Sequence, residues 1–129
     1  MNHTIVHFEI PADDLQKIKD FYRAVFDWNM IELKGPIDYI MLHTVPTDEQ
    51  GMLKEPGVNG GMYKRTEPNQ VPINYYSVES IEEYVDKAVK NGGKVIVPKQ
   101  EVPNVGFIVW IADPEGNPVG LLQPFDMKA

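Results

Sequence analysis

Between Ile5 and Ile10 the chain alternates, with Val6, Phe8 and Ile10 on one face and Ile5, His7 and Glu9 on the other, the period-two pattern of a half-buried strand. Asp13 or Asp14 then supplies a helix cap. Leu15, Ile18, Tyr22 and Val25 recur at helical spacing, Phe21 and Phe26 widen the stripe, and the helix is predicted to end near Asp27. Three short strands follow in "WNMIELK", "IDYIMLHTV" and "VNGGMYK", separated by Gly35-Pro36 and by the polar loop "PTDEQGMLKEPG". The first half therefore reads βαβββ.

After the break "TEPNQVP" the pattern restarts. "INYYSV" is a strand, and Ser80 with Glu83 forms a capping box that opens a helix with Ile81, Tyr84, Val85, Ala88 and Val89 on its apolar face. "NGG" at Asn91 to Gly93 stops that helix. "KVIVP", "GFIVWIA" and "PVGLLQP" give three more strands, the last two joined by "DPEGN", with Asp113, Pro114 and Gly116 where a type I turn favours them. The second half is βαβββ as well. A single α+β domain over residues 1–129 is expected, with module one at about 1–66 and module two at about 72–126. Each helix stripe is a core face, because each helix must cover its sheet.

Composition narrows the function classes. The 129 residues are 43% apolar, enough for a packed core. A net charge of −7, with no dense Lys/Arg cluster, disfavours nucleic acid and anionic membrane surfaces as partners. With no cysteine, disulfides, thiolate nucleophiles and Cys-based zinc sites are excluded, leaving His and carboxylates as the strong ligands. No apolar run approaches the ~20 residues that span a bilayer, and a soluble, cytoplasmic protein is expected. Phosphate-binding glycine loops, a nucleophile elbow and a helical HExxH are all absent.

"HFEIPADD…FYRAVFDW", "NGG", "GFIVWIADPEGNPVGLLQ" and the paired βαβββ layout resemble the vicinal oxygen chelate superfamily of glyoxalase I, bleomycin-resistance proteins and extradiol dioxygenases. "GVNGGMY" and "ADPEGNPVGLLQ" resemble its small members related to lactoylglutathione lyase. The resemblance implies an open, cup-shaped mixed sheet with helices on the convex side, and homodimerisation. It also implies a divalent cation held by ligands from the first and fourth strands of each module, polarising adjacent substrate oxygens as a Lewis acid. Here His7 falls on the first ligand position, but Ile73 stands at its counterpart in module two, Gly120 where a glutamate is expected, and Gly60-Gly61-Met62 at the remaining position. One ligand of four survives, so no tightly held metal cofactor is expected. A substitute site of His7, Glu9 and His43 would need three side chains to converge, and would support a metal-dependent lyase, isomerase or dioxygenase.

Within such a cup, His7 lines the cavity and touches ligand, with acid/base work open to it, or is a satisfied strand histidine. Glu9 is either a base or the partner that fixes the His7 tautomer. Tyr39 and His43 alternate with Met41 along one face of their strand, and Tyr75 and Ser77 share a face with Ile73. These four are substrate-binding candidates, with a core aromatic as the other reading of Tyr75. Trp110 and Phe107 lie on opposite faces of their strand, so at most one lines the cup, and Trp110 is the candidate. Gly60, Gly61 and Gly120 mark either a widened cavity or close strand packing. His3 has no expected role, and Trp28 is an anchor of helix on sheet. The expected function is binding of a small organic ligand without the full metal site.

Overall fold

The computed structural model describes residues 2–34 and 38–125, so the Gly35-Pro36 break lies outside the described residues. In chain order the elements are β1 (Ile5–Ala12), α1 (Leu15–Phe26), β2 (Asn29–Leu33), β3 (Tyr39–His43), β4 (Gly60–Lys64), β5 (Ile73–Ser77), α2 (Ile81–Lys90), β6 (Lys94–Val102), β7 (Gly106–Ala112) and β8 (Pro118–Pro124). The α+β class and the two βαβββ modules follow directly from this order. Two compact units are present, one of residues 7–72 and the other of residues 2–6 with 73–125.

In the first unit the strand order is β2-β3-β4-β1, antiparallel except for the parallel pair β1–β4, with Phe8 opposite Gly60 and Glu9 opposite Gly61. Asp14, not Asp13, caps α1, its carboxylate accepting from Lys17 N–H at 3.1 Å, and Asp27 ends the helix in the left-handed conformation at φ 56°. Ile40, Leu42 and Met62 are buried, and Phe8, Ile10, Leu15, Ile18, Tyr22 and Trp28 pack against them. Trp28 stacks on Tyr22 at 5.1 Å, which ties the end of α1 to the sheet. With that face of the sheet given to α1, strand alternation turns His7, Glu9, Gly61, Tyr63, Tyr39, Met41 and His43 to the opposite face.

In the second unit the order is β5-β8-β7-β6, with β5–β8 parallel and the other pairs antiparallel. Ser80 caps α2 by accepting from Glu83 N–H at 3.2 Å. Glu82 and Glu83 in its first turn and Lys87 and Lys90 in its last complement the helix dipole. Val78, Ile81, Val109, Ile111 and Leu121 form its buried core, with Tyr84, Val85 and Phe107 packed against them. β6 runs past Pro98, further than its sequence suggests. Proline has no N–H to give a ladder, and the strand carries it on a sheet edge with register shifts between Val95 and Gln100.

The β7–β8 turn is organised by one carboxylate. Asp113 accepts from the N–H groups of Glu115 and Asn117, each at 2.9 Å, and from Asn117 Nδ2 at 3.0 Å, while Gly116 takes φ 86°. The Asn117 side chain first, then its backbone N–H, hold the Asp113 carboxyl below the usual range. A depressed folded-state value contributes stability above the unfolded value and loses it as pH falls through the folded one. Asp113→Ala is therefore expected to lower the neutral-pH Tm by about 3 °C. That gap should begin to narrow below about pH 4, the unperturbed aspartate range, and close as pH falls through the lower folded-state value. Melting curves at pH 7 and pH 3 check this, and a gap that ignores pH would show that the carboxylate charge is not what holds the turn.

Candidate functional site

On the face of the first unit turned away from α1, Tyr39 bridges the two residues singled out on β1. Its hydroxyl donates to Glu9 Oε2 at 2.9 Å and lies 2.9 Å from His7 Nε2. A phenol has one proton, and here it goes to Glu9, so Nε2 of His7 carries the hydrogen that completes the chain. His7 Nε2 and Glu9 Oε2 stand 3.7 Å apart around the phenol oxygen, with the two side chains 33% and 14% exposed. An N–H donor and a carboxylate acceptor are thus held at one oxygen. That set can bind an oxygen that both accepts and donates, and can move a proton to or from it.

Gly61 makes the arrangement possible. It sits opposite both Glu9 on β1 and Met41 on β3, and a Cβ there would overlap the hydroxyl and ring tip of Tyr39. The second unit repeats this device: Gly120 lies opposite both Tyr75 and Trp110, and a Cβ there would overlap the Tyr75 ring. Trp110 Nε1–H donates to Tyr75 Oη at 2.6 Å across that gap. Tyr75 and Ser77 are buried. Trp110 takes the Tyr75 face, and Phe107 takes the α2 face, where it packs against Phe125 and beneath the Lys99 ammonium.

The structure brings His7, Glu9 and Tyr39 together, and Tyr75 with Trp110. His43 lies four residues along β3 from Tyr39 and opens instead on a crevice of about 350 Å³, shared with Asp27, Asn29 and Thr47. Tyr63 joins the His7 face although sequence reasoning passed over it. It follows Gly61 by two positions on β4 and faces Tyr39 directly across the strand pair. The signal was its alternation with Gly61. Its hydroxyl is buried and has no hydrogen-bond partner among the described residues. Burial, then the charge of Glu9, push this phenol up to about 12, against an opposing pull from Arg65.

The donors present do not fit a four-ligand chelate. Glycine stands at the fourth-strand positions with tyrosine rings over them, Ile73 replaces a donor, and His7 and Glu9 both engage a phenol. Among the described residues no three His, Asp or Glu side chains converge on a common point.

Paired βαβββ modules, each with one helix on one face and its polar and aromatic candidates on the other, define the class of this protein. The chain belongs to the Glyoxalase/Bleomycin resistance protein/Dioxygenase superfamily, whose model matches residues 4–121. Curated relatives in Mycobacterium tuberculosis and Mycobacterium bovis, each named "Putative glyoxylase CFP32", are 27% identical over 121 residues, covering 89% of this chain and 43% of theirs. The chain thus spans less than half the length of these relatives. Among solved structures, a methylmalonyl-CoA epimerase variant of Streptomyces coelicolor, in complex with 2-nitronate-propionyl-CoA, is similar at TM-score 0.70 and 14% identity, covering 100% of this chain and 99% of that one. The Mycobacterium tuberculosis methylmalonyl-CoA epimerase is similar at TM-score 0.65 and 12% identity, covering 95% and 88%. At these identities the likeness is one of fold. Among the described residues no helix is long and apolar enough to cross a membrane.

Proposed function

We propose that this chain binds a small organic ligand through an oxygen placed between His7 and Glu9, without the chelated metal of its superfamily. The hydrogen-bonded chain His7–Tyr39–Glu9 carries this reading. Tyr39 is an internal stand-in for the ligand. A ligand hydroxyl in its place would accept from His7 Nε2–H and donate to Glu9, and Tyr39, reaching across β4 from β3, can yield to it by side-chain rotation. If the chain turns its ligand over, the chemistry this set supports is proton transfer, with Glu9 taking a proton and His7 donating one. The glyoxylase name of the curated relatives and the epimerase titles of the structural neighbours are both compatible with proton-transfer chemistry, and neither fixes a substrate for this chain.

Cyclohexanol is a suitable probe, followed by the His7 ring resonances of labelled protein. Binding in the millimolar range is expected, and His7→Ala should weaken it about tenfold while leaving Tm nearly unchanged, as a third-exposed side chain predicts. Dialysis against EDTA should not alter the affinity. Stoichiometric metal in the purified chain, lost together with probe binding on chelation, would overturn the metal-free reading.

A further inference from the structure

Tyr63 is the one buried polar side-chain group among the described residues without a hydrogen-bond partner, and it lies on the face assigned to the ligand. A buried hydroxyl left unpaired is costly, and native structures keep few of them. The register shows what is within its reach. Glu9 is opposite Gly61 and Tyr63 is two residues further on, so Glu9 and Tyr63 are diagonal neighbours on adjacent strands, the spacing at which long side chains meet. Burial first, and then the neighbouring carboxylate, favour the protonated phenol, which stays a donor across the neutral range.

We propose that Tyr63 is a positioning residue and reserve donor for Glu9, taking up the carboxylate when a ligand displaces the Tyr39 hydroxyl. The role follows from hydrogen-bond arithmetic. An incoming hydroxyl can replace Tyr39 in full, because it both accepts and donates. An incoming carbonyl oxygen accepts from His7 but has no proton for Glu9, and Tyr63 supplies that proton. Tyr63 thereby extends the ligand class from alcohols to ketones and aldehydes, an inference that rests on the binding reading above.

The test has one arm that needs no ligand. Tyr63→Phe in the otherwise unaltered chain removes an unpaired hydroxyl, and Tm should rise by about 2 °C. In a Tyr39→Phe background the same substitution removes the hydroxyl that now serves Glu9, and Tm should fall by about 3 °C. The Cζ resonance of Tyr63 should also move when Tyr39 becomes Phe, and return when Glu9→Ala is added. A Tyr63→Phe effect of equal size and sign in both backgrounds, with a stationary Cζ resonance, would overturn the proposal. Should Tyr39→Phe fold poorly, Tyr39→Ala serves as the background.

The second arm compares cyclohexanol with cyclohexanone, which are nearly isosteric. Tyr63→Phe should weaken cyclohexanone about tenfold and cyclohexanol less than twofold. Equal losses would overturn the reserve-donor role while leaving the site intact. Failure of both probes to perturb His7 would instead count against the binding reading, and the thermal cycle would still decide the role of Tyr63.

Discussion

Gly60→Ala is expected to lower Tm by roughly 10 °C, about 3 kcal/mol of stability. The added methyl would overlap the Phe8 carbonyl oxygen and its ring, where β1 and β4 run side by side with Phe8 opposite Gly60. Backbone cannot step aside there without opening the parallel pair. The adjacent Gly61→Ala should behave differently, with Tm falling by only about 2 °C, because its overlap is with the tip of Tyr39, a side chain that can rotate away. That rotation would break the bond to Glu9 and release His7. Melting curves of the two variants, with the His7 ring resonances, separate a backbone clash from a side-chain clash. Equal losses of stability would show that Tyr39 is locked in place.

Leu42→Ala is expected to cost about 3 to 4 kcal/mol, the second large effect. Leu42 is fully buried, packed with Ile40 and Met62 under α1, so truncation removes several methylenes and leaves a cavity that the parallel and antiparallel pairings around it keep from collapsing. Urea unfolding followed by circular dichroism measures the change. Val95→Ala on the exposed edge strand serves as the reference and should stay within about 0.5 kcal/mol. A Leu42→Ala value near that of the reference would mean that the face under α1 is not the core of this unit.

Elements were legible wherever periodicity was uninterrupted. Ser80 and Glu83 mark the start of α2, Asn91 to Gly93 its end, and the alternation of Ile5 to Ile10 places His7 and Glu9 on one face, as observed. Pro98 conceals the second part of β6, because a proline reads as a terminator unless the strand is known to be an edge. At the site, alternation gives the face of a side chain but not its position along the neighbouring strand. His43 and Tyr39 share a face, yet only the register of β3 on β4 brings Tyr39 to Glu9 and leaves His43 beside Asp27. Gly61 and Gly120 are visible as glycines, but the rings that occupy their space come from other strands or from across the pair. Tyr63 carries no motif at all. Its interest arises from an absent partner, a property only three dimensions disclose.

The partition of the chain between the two units also sets an order of events during synthesis. Residues 7–72 form one uninterrupted unit, which can collapse as soon as it leaves the ribosome. Residues 2–6 are made before that unit but belong with residues 73–125: Ser77 N–H donates to the Thr4 carbonyl at 3.1 Å, and His3 Nε2 meets Glu79 Oε1 at 3.0 Å. Residues 2–6 must therefore wait for partners translated some seventy residues later. At ~5–20 residues per second that interval lasts seconds, long enough for residues 2–6 to meet chaperones or another nascent chain before their own strand arrives.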